Sequence, residues 1–261
     1  MTALRIAWKL PAISIAFGTS ALSMGVENLI GRVLPGGHLR RQNRIVRRWA
    51  GWMNRILQIH ITVQGPPPPA PFIMVSNHLS YTDVLVLMSQ TDARLLSKSE
   101  VASWPLLGRL AKIGGTLFIN RKMRADIPRV LEEIKATLSL ERGIVIFPEG
   151  TSSAGLEVMP FKTSLFQVAA AGDFEVVTAA IRYTTGAGDP SAQWSVCWWG
   201  DMGFGAHLLG LMRLSRVNAQ VTFAEEHLRG SDRKQLAQAA WASVDSMFEP
   251  VCSELGEDQS A

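Results

Sequence analysis

The chain carries little of what metal, redox or nucleotide chemistry needs. Cys197 and Cys252 are the only two cysteines among 261 residues. They lie too far apart for zinc-ligand spacing and are too few for a disulfide framework, so a reducing compartment is expected. No Gly-x-Ser-x-Gly occurs, which argues against the nucleophile elbow of an α/β-hydrolase. Neither Gly-x-x-x-x-Gly-Lys-Ser/Thr nor Gly-x-Gly-x-x-Gly appears, so the common phosphate-binding loops are missing. With two tyrosines and no aromatic platform among basic strands, nucleic acid is not an expected partner. No period of 20 to 50 residues recurs and no run of 18 uncharged apolar residues exists, which excludes solenoids and polytopic membrane proteins.

Acid is scarce at one end. Residues 1–60 hold nine basic side chains against Glu27 alone, a local charge of +8, whereas the remaining 201 residues sum to −4. That asymmetry suggests a leading segment that meets an anionic surface, followed by an ordinary globule, since 47% hydrophobic and 18% charged residues are too apolar for disorder. Residues 10–26 are uncharged and apolar but contain Pro11, Gly18 and Gly25. As a helix they would extend roughly 25 Å, short of a ~30 Å hydrocarbon core, so dipping into one leaflet is easier than crossing. A secretory signal peptide is the competing reading. Further on, Ile45, Trp49, Trp52, Met53 and Ile56 fall on one helical stripe, with Arg40, Arg41, Arg44, Arg47, Arg48 and Arg55 around it. Such a helix suits a membrane surface, or it packs on its own domain with a solvated basic face. The expected organisation is a membrane-associating helical segment over residues 1–60 and a second domain over 61–261.

After the prolines at 66–71, short apolar runs alternate with helical patterns. Strands are expected at 72–76, 93–97, 115–119, 144–147, 175–183, 194–199 and 219–223, and helices at 82–89, 101–111, 124–140, 163–171, 204–214 and 232–249. This alternation predicts an α/β fold, a mixed sheet flanked by helices, with the site in loops at strand ends.

Three strands end in polar turns. The first delivers Asn77-His78-Leu79-Ser80-Tyr81-Thr82-Asp83. If Ser80 caps the next helix, Asp83 can reach back to the imidazole and fix its tautomer, leaving the other nitrogen to act as a general base. The alternative is a capping box around a turn histidine. The second turn, Phe147-Pro148-Glu149-Gly150-Thr151-Ser152-Ser153, is rich in hydroxyls and backbone donors, and amides near Gly150 are candidate oxyanion donors. The third strand brings Phe118, Asn120 and Arg121, whose guanidinium can clamp a phosphate or carboxylate. For these two turns a proline turn and a solvated arginine remain alternatives.

Taken together, Asn77-His78-x-x-x-x-Asp83, Phe118-Ile119-Asn120-Arg121 and Phe147-Pro148-Glu149-Gly150-Thr151 resemble the glycerolipid acyltransferase family, typified by lysophosphatidic acid acyltransferases and including lyso-ornithine lipid acyltransferases. Lys98-Ser99-Glu100, Trp104 to Gly108 and Pro160-Phe161-Lys162 extend the likeness over about residues 70 to 185. The resemblance implies acyl transfer from an acyl-carrier protein or coenzyme A thioester to a lysolipid hydroxyl, with no further cofactor and no metal. Phosphatidic acid synthesis from 1-acyl-sn-glycerol 3-phosphate is the leading function. It implies His78 as base and Asp83 as its orienter. Asn120, Arg121, Glu149, Gly150 and Thr151 would bind the acceptor, with Lys98, Phe118, Ser152 and Lys162 as further substrate contacts. It also implies the cytoplasmic face of the inner membrane.

Two positions depart from the family pattern. Ser152 stands where an arginine is usual, and Thr178 where a proline is usual. Loss of one phosphate-clamping guanidinium is compatible with lyso-ornithine lipid, a phosphorus-free acceptor. A non-catalytic lipid-binding module is the remaining alternative.

Overall fold

A computed structural model of the protein describes residues 2–34, 37–104, 108, 111–112, 115–120, 126–139 and 142–255. Arg121, the Pro105-Leu106-Leu107 segment and parts of the helices expected at 101–111 and 124–140 lie outside the described residues.

The sheet has seven strands: β1 (Ile59–Gln64), β2 (Ile73–Ser76), β3 (Ala93–Lys98), β4 (Leu117–Ile119), β5 (Gly143–Ile146), β6 (Val176–Thr185) and β7 (Val217–Phe223). Their spatial order is β1-β7-β6-β2-β5-β3-β4. Strands β2 to β6 are mutually parallel, whereas β7 runs antiparallel to β6 and carries β1 beside it. The mixed α/β sheet expected from the alternating pattern is therefore present.

Every residue of β2 and of β5 is buried, as near-continuous apolar runs covered on both faces require. On one face Met74, Val145, Val177 and Ile181 pack with Leu57, Val86, Leu87, Leu211 and Met212. On the other, Ile73, Val75, Ile144 and Ile146 pack with Val130, Ile134, Phe166 and Val244. Helices α1 (Thr2–Val33), α2 (His38–Ile56), α3 (Thr82–Gln90) and α7 (Phe204–Arg213) serve the first face. Helices α4 (Asp126–Ser139), α5 (Gln167–Gly172) and α8 (Arg233–Met247) serve the second.

Three elements differ from the sequence expectation. β1 was not anticipated, because its short alternating run adjoins the arginine-rich helix and has no turn signal between them. It begins just ahead of the boundary drawn at residue 60 and pairs along its whole length with β7. The strand expected at 194–199 is instead the single helical turn α6 (Ala192–Ser195) followed by irregular chain. Its tryptophans serve loop closure: Trp199 Nε1 donates to Gln193 O at 2.9 Å and Trp198 Nε1 to Met202 O at 2.8 Å. Gly115 and Thr116 precede β4 rather than belonging to it, Gly115 taking φ +73°.

Helix α1 is longer than its uncharged stretch, 32 residues with Pro11 inside. Leu4–Val33 is long and apolar enough to cross a membrane, and 11% of its most apolar window is buried within the protein. Its Leu22, Leu29 and Val33 are 63–77% exposed. The opposite side is fastened to the globule. Arg5 Nη1 donates to Arg213 O at 2.9 Å, and buried Lys9 donates through Nζ to Leu214 O at 3.4 Å. These cations meet the carbonyl end of α7, where positive charge is favoured. Helix α2 lies against α3, with Asn54 Nδ2 donating to Leu85 O at 3.0 Å. Buried Glu27 on α1 accepts from Arg41 at 2.8 Å and pairs with His38 at 2.9 Å, closing the α1–α2 hairpin.

Candidate active site

β2 and β5 are adjacent and parallel, with Val75 level with Ile146. Extending that register by three residues sets His78 beside Glu149, and the His78 amide donates to Glu149 Oε1 at 3.1 Å. The Ser153 amide in turn donates to His78 O at 2.9 Å. The turn that carries the histidine is therefore sewn to the turn that carries Glu-Gly-Thr. On the other flank, the Asn77 carboxamide substitutes for sheet pairing. Its Nδ2 donates to Ile181 O at 2.9 Å, and Ile181 N donates to its Oδ1 at 2.8 Å. Asn77 is thus tied to β6 and the His78 main chain to the turn after β5.

His78 Nδ1 lies 2.8 Å from Asp83 Oδ2. The same oxygen accepts from the amides of Leu79 at 2.7 Å and Ser80 at 3.0 Å, while Oδ1 accepts from the Tyr183 hydroxyl at 2.8 Å. Two backbone N–H groups already donate to Oδ2, so that oxygen faces the ring as an acceptor; Nδ1 then bears the proton and Nε2 is the basic nitrogen. The two readings open at the sequence level, capping residue and histidine orienter, coincide in one side chain. Asp83 gathers the amides of Leu79 and Ser80 in the turn leading into α3 and holds the ring.

The imidazole stacks on Phe147, centroids 4.1 Å apart and planes at 13°. One ring edge is therefore held, one face is covered, and the side chain keeps 21% exposure. Among the described residues Nε2 has no partner. A fixed, partly open imidazole of this kind can take a proton from an incoming hydroxyl.

Glu149 is 3% exposed. Burial, reinforced by the nearby Asp83 charge, pushes its carboxyl up to about 9 even though the His78 amide pulls the other way. That shift favours the neutral acid at pH 7 beneath the His78 turn, and Oε2 has no partner among the described residues. Gly150 adopts φ +75°, which glycine accommodates without a Cβ penalty. Its amide donates to Phe147 O at 3.2 Å, so this N–H closes the turn instead of standing free for an oxyanion. Thr151 is exposed and Ser152 half-buried, with the Ser152 hydroxyl donating to Trp198 O.

The remaining expected site residues lie further along the sheet edge. Lys98 ends β3 and is exposed; Phe118 and Asn120 sit on and just after β4. Three strand spacings separate β4 from β2, roughly 14 Å. Phe118 and Asn120 line a cleft of about 500 Å³ with Lys112, Arg129 and Glu133. Lys162 is exposed, its amide donating to Pro148 O at 2.9 Å. The structure thus brings Glu149, Gly150 and Ser152 to His78 and Asp83, and leaves Lys98, Phe118 and Asn120 on neighbouring strands.

Sequence reasoning passed over Asn77 as a functional position, and Tyr183 altogether. The available signal was the phenol at the end of an otherwise apolar strand, since a buried tyrosine hydroxyl must find a partner. His207, assigned no chemistry from the sequence, is structural. Its Nε2 faces Cys197 O at 3.0 Å and its Nδ1 the Tyr81 hydroxyl at 3.1 Å.

Comparison with known proteins places this geometry. Residues 58–182 match the family model described as Acyltransferase. The chain is 33% identical over 233 residues to the lyso-ornithine lipid O-acyltransferase of Pseudomonas aeruginosa, covering 87% of this chain and 88% of that protein. It is 31% identical to the 1-acyl-sn-glycerol-3-phosphate acyltransferase of Neisseria meningitidis, covering 76% of each. The fold is similar to the crystal structure of the 1-acyl-sn-glycerophosphate (LPA) acyltransferase from Thermotoga maritima, with TM-score 0.63, 15% identity and 93% and 97% of the two chains covered. Identity at this level over this share of the chain, with the family model spanning the segment that holds His78, Asp83 and Glu149, shows that the chain belongs to the glycerolipid acyltransferase family.

Proposed function

We propose that the protein moves a fatty acyl group from the thioester of acyl-carrier protein or coenzyme A to the free hydroxyl of a lysolipid at the membrane surface. The observation that carries this reading is the His78 Nδ1–Asp83 Oδ2 contact of 2.8 Å, with Nε2 left unpartnered among the described residues. As the acceptor oxygen attacks the thioester carbonyl, its proton passes to Nε2. When the C–S bond breaks, the imidazolium returns that proton to the leaving thiolate. No acyl-enzyme is needed, because the thioester is already activated and the site supplies orientation and a base.

Two acceptors fit this chemistry: 1-acyl-sn-glycerol 3-phosphate and lyso-ornithine lipid. A specific observation favours the second. Position 152 presents a serine hydroxyl turned to the Trp198 carbonyl, so no guanidinium reaches the Glu-Gly-Thr turn from there. A headgroup ending in one carboxylate needs fewer cations than a phosphate, and Arg121 suits either. Glu149 acts in this reading by holding the catalytic turn. The protein docks by the apolar face of α1, with the exposed Arg44, Arg47, Arg48 and Arg55 of α2 toward anionic headgroups, on the cytoplasmic leaflet.

The test is a radiolabelled acyl-transfer assay offering both acceptors with both donors. The expected result is transfer that His78→Ala abolishes while vesicle binding persists, with higher kcat/KM on lyso-ornithine lipid. Vesicle binding without transfer to any lysolipid would make the protein a binding module instead. Arg121→Ala is expected to raise KM for the acceptor far more than for the donor.

A further inference from the structure

We propose that Tyr183 is a positioning residue of this site, a third member behind His78 and Asp83 that sets how firmly the carboxylate holds the imidazole proton. This rests on the reading of His78 as the base. β6 runs parallel to β2 and continues well past its end, since Ser76 is level with Ala179 while β6 extends to Thr185. The overhang carries Tyr183 beneath the start of α3, where it is fully buried. Its hydroxyl donates to Asp83 Oδ1 at 2.8 Å and accepts from Thr82 Oγ1 at 3.1 Å. A directed series results, Thr82 to Tyr183 to Asp83, and it meets on the same carboxylate the His78 Nδ1–H that donates from the other side. Each hydroxyl spends its proton on the next member, so the donor direction along the series is determined.

The chemical consequence follows from where the carboxylate's negative charge goes. Oδ2 is shared among the imidazole and two backbone amides, whereas among the described residues Oδ1 has the tyrosine alone. A donor on Oδ1 withdraws charge from the carboxylate and weakens its pull on the imidazolium; removing it strengthens that pull. The titratable groups around Asp83 are His78, Tyr183, Cys197 and Glu149. Burial pushes the phenol, the thiol and the Glu149 carboxyl up, each toward its neutral form, and the donors of the cluster converge on Asp83. Tyr183 touches neither acceptor nor donor, and acts through Asp83.

The experiment is the pH profile of kcat/KM for acyl transfer by the full-length protein, comparing wild type with Tyr183→Phe and Thr82→Val. Tyr183→Phe removes only the hydroxyl. Its acidic limb is expected to move upward by about 0.5–1 pH unit, because the unsoftened carboxylate stabilises the imidazolium. Thr82→Val, which removes the donor to the tyrosine, is expected to move it the same way by less, and serves alone if the phenylalanine variant does not fold. A lowered melting temperature or kcat with the limb unmoved would show that Tyr183 is packing only, and would overturn the proposal. Failure of the base assignment itself shows differently, as transfer that survives His78→Ala.

Discussion

Replacing Glu149 by glutamine tests the electrostatics of the catalytic turn through protein stability, independently of the substrate. In the folded protein the carboxyl titrates at about 9, against 4.5 ordinarily, chiefly because burial penalises its charged form. Between those values the unfolded chain has released a proton that the folded chain still holds, so stability falls as pH rises. The penalty is absent below 4.5, grows by slightly more than 1 kcal/mol per pH unit, and is complete above about 9. From pH 5 to pH 8 it should grow by roughly 4 kcal/mol. Glutamine keeps an oxygen to accept from the His78 amide at Oε1 but cannot ionise. Denaturant unfolding of the detergent-solubilised protein, followed by tryptophan fluorescence, gives both stabilities as a function of pH. The expected outcome is that Glu149→Gln gains on wild type steadily with pH over this range. A difference that stays flat, or runs the other way, would mean that Glu149 is ionised in the fold and that the turn is assembled around a charge.

Asn77→Ala removes two buried hydrogen bonds to Ile181 and should cost about 2–4 kcal/mol in the same unfolding measurement, with a matching loss of kcat. Leu22→Glu combined with Leu29→Glu alters only the exposed side of α1 and should lower vesicle co-sedimentation at least tenfold without changing the melting temperature. Cys197 is buried and its thiol is pushed up by burial, whereas Cys252 is only partly covered. A thiol reagent should therefore label Cys252 in the native protein and Cys197 only after unfolding, and fast native labelling of Cys197 would contradict the packing behind Asp83.

The parts of the fold that could be read from the string were those whose pattern is local. β2 and β5 announce themselves as apolar runs that end in His78 and Glu149, and the reach of Asp83 back to its histidine needs only helical geometry. Pairing is not local. That β5 rather than β3 lies next to β2, and that β6 overshoots both, are facts of topology. From them come the Glu149 bond to the His78 amide and the Tyr183 bond to Asp83. For Glu149 the string gives the position: a carboxylate in a polar turn suggests a ligand contact, whereas its burial and its bond from the His78 amide are visible only in the fold. The failed strand at 194–199 has the same origin. Apolar composition there reflects tryptophans that close loops around the site, and neither periodicity nor composition separates that use from a buried strand.

On the proposed reading, membrane docking and catalysis are mechanically joined. Arg5 and Lys9 bind the last carbonyls of α7. The other end of α7 presents Phe204 and His207 to Tyr81, with ring centroids 5.1 and 5.6 Å away. Tyr81 lies between Ser80 and Asp83 in the same turn that holds the imidazole. The apolar face of α1 is therefore not a tether of arbitrary length. One short helix connects it to the His78 turn, so if α1 settles in a bilayer as proposed, its height also sets that of His78 Nε2. A lysolipid hydroxyl lies at a nearly constant depth below its headgroup. A base held at fixed depth could meet it without withdrawing the acyl chain from the membrane, so on this reading α1 would matter for turnover as well as for binding.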